Sequence, residues 1–457
     1  MDESLSGRIA EAGRAQPSVA ARCLDERLKS VHRSRAALAA AGPHIVSQAV
    51  REGGMPRKFA QRELQSALML LDALPEFADA LRPREVPAVS GSTTLEWHPY
   101  GVVLGLHSAN SPVWVPTVVS MSALVAGNSV VCRPSRRVSV TTGLVLDALA
   151  GAWPAGAVQV VDCSRDDVAE LLVAPGIDAV VAHASTATCT SHLRILADSY
   201  SRGVVMRPYI AEASGNDALL VLPGADLAAA ADAIVWGAFA HAGQLCFSAK
   251  RIIVDVGLWP ELMPRLVAAA ARVVIGDPDD PLTDLPAHLV ADQSGAENAL
   301  ASALDAGGHV VLGATPRPGE TSPRLVLLPR EALGDLALWR EEVFAPIRGV
   351  VLADGVDDAI GLAADTRFGI GVSVFGGRSE DHVRMGSELR VGRILINESP
   401  LYQDPRLVVG GIRDSGFGGA RPKLEQLVYA RRVHSARASS SPESSETAST
   451  LRIRQDG

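Results

Sequence analysis

The sequence predicts an α/β protein built on a doubly wound parallel sheet, and three observations carry that prediction. Short apolar runs, VVLGL (102–106), SVVC (129–132), VQVV (158–161) and DAVVA (178–182), recur along the chain. Segments whose apolar residues fall three and four apart lie between them, near 112–126, 141–153, 166–173 and 187–200. A second series of the same kind starts at ALLVL (218–222). Brief apolar strands separated by helices need right-handed crossovers, and the resulting parallel sheet is covered on both faces. Its ligand belongs at the carboxyl ends of the strands.

The elements follow in order. Residues 18–83 carry helical periodicity, and a Pro-containing break at 83–87 ends it. VSGSTTLEWHPYG (89–101) alternates as an extended arm or hairpin. The first αβ series comes next. In the second, an Ala-rich helix spans about 226–240 with Asp226 as its N-cap, then RIIVD (251–255), a helix near 258–272, HVVLG (309–313), and the strands RGVVLA, VSVFG and RILIN between further helices. From Ser435 the chain is rich in Ser, Glu and Thr and reads as a disordered tail.

Composition narrows the function. At 457 residues the chain needs two or three domains, and 47% apolar with 21% charged residues suits a globular interior. The net charge of −8, without a basic block, gives no support for nucleic acid or a membrane surface. The first residues lack the apolar core of a secretory signal and no apolar run is long enough to span a bilayer, so a cytoplasmic location is expected. Five scattered cysteines without CxxC spacing argue against a disulfide framework and a zinc site. Each begins as a small buried hydrophobe, and Cys132, inside SVVC, fits that well. RFGIG (367–371) and SGFGG (415–419) read as turns, because neither leads from a strand into a helix. GxxxxGK(S/T), HExxH and GxSxG do not occur.

One set of segments, in one order, says more. AHAGQLCFSAKRIIV (240–254) resembles the catalytic-cysteine segment of the aldehyde dehydrogenase superfamily. GVVLGLHSANSP (101–112), ALVAGNSVVCRPS (123–135), EASGND (212–217), EEVFAPI (341–347) and INESP followed by GGIRDSGFG resemble the family's other segments in sequence order. The resemblance covers about residues 18–434 and implies an aldehyde-dehydrogenase-like fold. A cofactor domain would be built from 1–83 and 99–211, a catalytic domain from 212–418, and a β oligomerisation arm from 84–98 and 419–434, leaving 435–457 as the tail. It implies a homodimer or homotetramer.

The chemistry of the residues agrees with it. Hydride leaves an aldehyde readily only after a nucleophile has made the carbon tetrahedral, and a thiolate does this. Cys246 would be that nucleophile, and Asn110 with the backbone N–H of 246 would hold the oxyanion. Glu212, 34 residues before Cys246, would be the base for the thiol and for the water that removes the acyl group. A buried structural thiol and a surface carboxylate are the plain alternatives. The resemblance gives cofactor contacts to Ser108, Ser185, Glu342 and Phe344, and to Arg133, Ser135 and Arg136 at the adenosine end. By position, Trp114, Leu245, Phe247 and Tyr402 face the substrate, and Arg406 is a weaker candidate to clamp an anionic aldehyde.

The chain also departs from the family pattern. Where the family has a Lys and then a ribose-gripping Glu, it has Arg133 and Arg136, with Arg137 adjacent. Guanidinium groups bind a 2′-phosphate that a carboxylate repels, so NADP is favoured over NAD. A solvated basic turn is the other explanation, and with only four lysines in the chain Arg133 also reads as a simple Lys replacement. Ala184 replaces a glycine in AHASTA, and Ser214 replaces one after Glu212. The expected activity is NAD(P)-dependent oxidation of an aldehyde to its acid. Two rivals remain: exchange of the acyl group onto coenzyme A or a carrier protein, and a non-catalytic binding protein of the same fold.

Overall fold

A computed structural model describes residues 3–290, 292–313, 320–402, 404, 406, 410–418 and 423–435. The chain begins with three helices, α1 (Glu3–Ala20), α2 (Leu24–Gly53) and α3 (Arg57–Ala78). Periodicity predicts α2 and α3. It does not predict α1, whose first turns precede the segment read as helical. Leu5, Ile9, Ala12, Ala15 and Val19, spaced three and four apart, are buried along one face of α1.

One proline-flanked segment differs from the sequence reading. The break at 83–87 contains a short strand, β1 (Arg84–Val86), between Pro83 and Pro87. It pairs antiparallel with β2 (Ser92–Pro99), and prolines are tolerated there because β1 is an edge strand. β2 also pairs antiparallel with residues Val428–Ser435, completing a three-stranded sheet. The stretch read as the disordered tail, beyond Ser435, lies outside the described residues.

The first doubly wound unit contains β3 (Val102–Leu106), α4 (Trp114–Val125), β4 (Ser129–Arg133), α5 (Ser139–Ala150), β5 (Val158–Val160), α6 (Val168–Val173), β6 (Ala179–His183), α7 (Thr186–Ser201) and β7 (Tyr209–Glu212). Its strands lie in the order β7-β6-β3-β4-β5, all parallel, with Gly416–Phe417 antiparallel on the outer edge of β7. The strand order reverses between β3 and β6, so the loops after Leu106 and His183 open a crevice at the carboxyl ends.

The second unit is a seven-stranded sheet in the order 309–312, 324–327, 347–353, β9 (Ala249–Asp255), β8 (Asp217–Val221), 371–375, 393–396. It is parallel except for the pairing of 309–312 with 324–327. Helix α8 (Leu227–Phe239) connects β8 to β9, and Asp226 caps it by accepting from the N–H groups of Ala228 and Ala229 at 3.0 and 3.1 Å. The central strands β3 and β8 are buried along their whole length because helices cover both sides of each sheet. RFGIG is a packing turn: the N–H of Gly369 donates to Ser415 Oγ and that of Gly371 to Asp217 Oδ1, each at 2.9 Å. Among the described residues no helix is long and apolar enough to cross a membrane.

Candidate active site

Cys246 is presented by a tightly wound loop. After α8, three successive residues take left-handed backbone, His241 (φ 52°), Ala242 (φ 53°) and Gly243 (φ 72°). For the first two this conformation is strained, and such strain persists only where the surroundings impose it. Here they do. A Cβ on Gly243 would lie 2.1 Å from Arg348 Nη2, so only glycine fits. Arg348 is fully buried and donates to Gly243 O at 2.9 Å, Val343 O at 3.0 Å and Ser248 Oγ at 3.2 Å. Lys250, also buried, donates to Leu245 O at 2.7 Å and Cys246 O at 2.8 Å. Two cations thus pin the carbonyls on either side of the thiol. From the other side Gly215 packs against Cys246, where a Cβ would meet Cys246 O at 2.2 Å.

Burial pushes the Cys246 thiol up to about 12, and the nearby Glu342 carboxylate adds to the shift, while Lys250 opposes it. Asn110, from the loop after β3, donates through Nδ2 to Gln244 O at 2.9 Å, which fixes its amide beside the cysteine loop. All five cysteines are unpaired, and Cys132 is the buried hydrophobe its apolar run predicts.

Glu212 ends β7, in register with His183 at the end of β6. Its carboxylate is engaged on both oxygens: Lys423 Nζ lies 2.6 Å from Oε1, and the N–H of Gly411 donates to Oε2 at 3.2 Å. His183 is pushed well below its ordinary range by burial and by the Lys423 charge, and its Nδ1 has no partner. Glu342 accepts the N–H of Gly215 on Oε1 at 2.7 Å, and the same oxygen lies 3.7 Å from Lys250 Nζ. Burial raises its pKa. Lys250 also lies 5.7 Å from the centre of the Phe344 ring.

These groups share one cavity of about 490 Å³. Of the residues the sequence singles out, Cys246, Glu212 and Asn110 line it, as do Ser108, Ser185, Glu342 and Phe344, and Trp114, Leu245 and Phe247. Ser185 also caps α7, accepting the N–H of Thr188 at 3.2 Å. Tyr402 is not part of the wall. It is 39% exposed, and its carbonyl accepts from Arg393 at 3.4 Å. Arg133, Ser135 and Arg136 stand apart from the cavity, at and just beyond the carboxyl end of β4. Arg133 donates to Cys163 O at 3.0 Å while its Nε is buried without a partner. Arg136 is exposed, 3.6 Å from Asp162. Arg406, the weaker candidate for an anionic substrate, is bound to Asp404 at 3.1 Å.

Sequence reasoning misses Lys423, Lys250, Arg348 and Glu63. A signal for two of them is present: Lys250 and Arg348 interrupt or precede apolar strands, where a charge is costly unless it is paired. Lys423 is one of four lysines, but nothing in its local sequence points to Glu212.

Comparison with known proteins agrees with this geometry. The model of the aldehyde dehydrogenase family matches residues 2–431. The chain is 30% identical over 341 residues to the NADP(+) succinate-semialdehyde dehydrogenase of Mycobacterium leprae, covering 74% of this chain and 73% of that protein. It is 27% identical over 401 residues to an Escherichia coli succinate semialdehyde dehydrogenase named for NAD(P)+, covering 86% and 85%. Among solved structures, the NADP-dependent glyceraldehyde-3-phosphate dehydrogenase of Bacillus halodurans, in complex with NADP, superposes with a TM-score of 0.85 at 26% identity, covering 95% of this chain and 92% of that one. A Methanocaldococcus jannaschii glyceraldehyde-3-phosphate dehydrogenase reaches a TM-score of 0.87 at 20% identity over 95% and 94%. The thiol loop, the doubly wound crevice and the match over residues 2–431 lead to one assignment: the chain belongs to the aldehyde dehydrogenase family.

Proposed function

We propose that the protein oxidises an aldehyde to its carboxylic acid through a thioester on Cys246, with NADP favoured over NAD as the hydride acceptor. The observation that carries this is the meeting of Cys246, Asn110, Glu212 and Glu342 on the wall of one cavity, at the carboxyl ends of β3, β6 and β7.

The residues present fit a dinucleotide. Ser108, Ser185, Glu342 and Phe344 line the crevice, and Arg133, whose buried Nε has no partner, would lie at the adenosine end with Arg136 facing a 2′-phosphate. When bound, the dinucleotide supplies a two-electron acceptor for hydride.

The chain's own residues do the rest. The Cys246 thiol loses its proton to solvent, its sulfur bonds to the aldehyde carbon, and the carbonyl electron pair moves to oxygen. Asn110 Nδ2 and the N–H of Cys246 hold that oxyanion. Lys250 and Arg348 keep the loop carbonyls turned inward, so the thiol stays aimed at the cavity. After hydride loss the acyl group remains on sulfur. Water then adds to its carbonyl, and sulfur leaves as the acid forms. Glu212 is the base for this water once its carboxylate leaves Lys423.

The engagement of both Glu212 oxygens favours a second possibility, in which coenzyme A or a carrier thiol removes the acyl group and water does not. Assay with an aldehyde panel, each cofactor, and coenzyme A present or absent separates the two. Free acid formed at the same rate without coenzyme A supports hydrolysis, whereas turnover only with coenzyme A supports exchange. If no aldehyde reduces NAD or NADP, oxidation is the wrong assignment.

We also propose that the protein is cytoplasmic and self-associates through the β1-β2 arm as a homodimer or homotetramer. Light scattering of the purified chain tests the assembly.

A further inference from the structure

Helix α3 turns one stripe toward the cavity: Phe59, Glu63, Ser66, Leu70, Leu74 and Phe77, at helical spacing, all line it. Glu63 is the anomaly in this apolar stripe. Its side chain is only 5% exposed, and Oε1 is fixed by the N–H groups of Val113 and Trp114 at 3.1 and 3.0 Å, at the start of α4. Oε2 is buried without a hydrogen bond of good geometry, and the Ser111 hydroxyl is the other side chain that acts on this carboxyl. An unpartnered buried acceptor is costly, and a ligand donor placed there would offset the cost.

The other charges of the wall point the same way. Among the described residues they are Glu212, Glu342 and Asp404, with Lys423 the one lysine or arginine, and Lys423 is already bound to Glu212. Arg406, which would have to hold an anionic tail, pairs with Asp404. Above about pH 7, where Glu63 is ionised, a carboxylate on the substrate tail would therefore meet its charge across an apolar space with no free cation among the described residues.

We infer that the substrate carries a hydrogen-bond donor, hydroxyl or ammonium, on its tail away from the carbonyl, and that Glu63 is the residue that selects it. This rests on the aldehyde-oxidation proposal above, and it separates this protein from the anionic succinate semialdehyde in the names of two relatives. Recognition is by Oε2 accepting from the tail. The apolar stripe of α3 accommodates the methylenes.

The test compares four six-carbon aldehydes, hexanal, 6-hydroxyhexanal, 6-aminohexanal and 6-oxohexanoate, by kcat/KM at about pH 8.5, where Glu63 is ionised, in the full-length protein and in Glu63→Gln. The glutamine retains one carbonyl oxygen for Val113 and Trp114 and places an NH₂ donor where Oε2 was. In the wild type, one or both donor-bearing aldehydes should exceed 6-oxohexanoate at least about tenfold, the worth of one hydrogen bond to a charged group. Which of the two leads distinguishes hydroxyl from ammonium. In Glu63→Gln that ratio should fall about tenfold or more, with 6-oxohexanoate gaining. Preference of the wild type for 6-oxohexanoate, or a ratio unmoved by the substitution, overturns the inference while leaving aldehyde oxidation intact. Oxidation of none of the four sinks both.

Discussion

Lys423 Nζ lies 2.6 Å from Glu212 Oε1, and both side chains are largely buried, at 7% and 17% exposure. The candidate base of the reaction is therefore held by a cation from the last segment of the folded chain, 211 residues away. Removing one member of a buried pair leaves the other charge uncompensated, so Lys423→Met should destabilise the protein by roughly 3 kcal/mol. The double variant with Glu212→Gln should lose less than the sum of the two single variants, because the two residues share one interaction. Denaturant midpoints measure this, and simple additivity would show that the pair is not coupled.

Glu212→Gln should separate the two half-reactions. Acylation of Cys246 should still give a burst of reduced cofactor, while steady-state turnover should fall by about 10²-fold or more, the usual worth of a positioned base. Equal loss of burst and turnover would place Glu212 before the thioester.

Because burial and Glu342 push Cys246 up to about 12, the free thiol is protonated near neutrality. Alkylation by iodoacetamide should speed up about tenfold per pH unit between pH 7 and 10 and vanish in Cys246→Ser. Glu342→Gln should shift the profile to lower pH, since it removes the charge that opposes the thiolate. A profile flat above pH 8 would contradict this environment.

Glu63 also couples stability to pH. Its carboxyl, ordinarily near 4.5, is pushed up to about 7 by burial. Between these values the folded chain keeps a proton that the unfolded chain has released, so stability falls as pH rises from about 4.5 to about 7. The loss has a ceiling of about 3 kcal/mol and is fully present above that window. Glu63→Gln removes the titration, so its stability relative to wild type should be more favourable at pH 8 than at pH 4. Melting curves at the two pH values check this, and an identical difference at both would refute it.

At the adenosine end, Arg136→Glu should lower the NADP to NAD ratio of kcat/KM by about 10- to 100-fold, because a carboxylate replaces a phosphate donor next to Asp162. An unchanged ratio would make Arg136 part of a solvated turn.

The sequence alone is enough to identify the architecture and to single out Cys246 as the candidate nucleophile. Fully apolar strands and intervening helical periods are properties of adjacent residues, and the cysteine segment is recognisable because its neighbours in the chain are. Ten of the site residues named from sequence line one cavity: some end strands or lie in the loops after them, and the others lie in the helix-to-strand loops that lead into β9 and residues 347–353. What the sequence left open depends on distance through space. Lys423 reaches Glu212 only because the closing segment folds back along β7, through Gly416–Phe417, and no local pattern encodes that pairing. Glu63 reads locally as a polar position on an amphipathic helix. It becomes a buried, half-satisfied carboxyl only when the loop after β3 and the start of α4 close over it. Tyr402, placed on the wall by sequence position, is not among the residues lining the cavity, and its carbonyl accepts from Arg393. Residue type and periodicity decide which elements form and which groups can react. Burial and long-range pairing decide their charge, their orientation and the substrate they accept, because both depend on every element packed around the site.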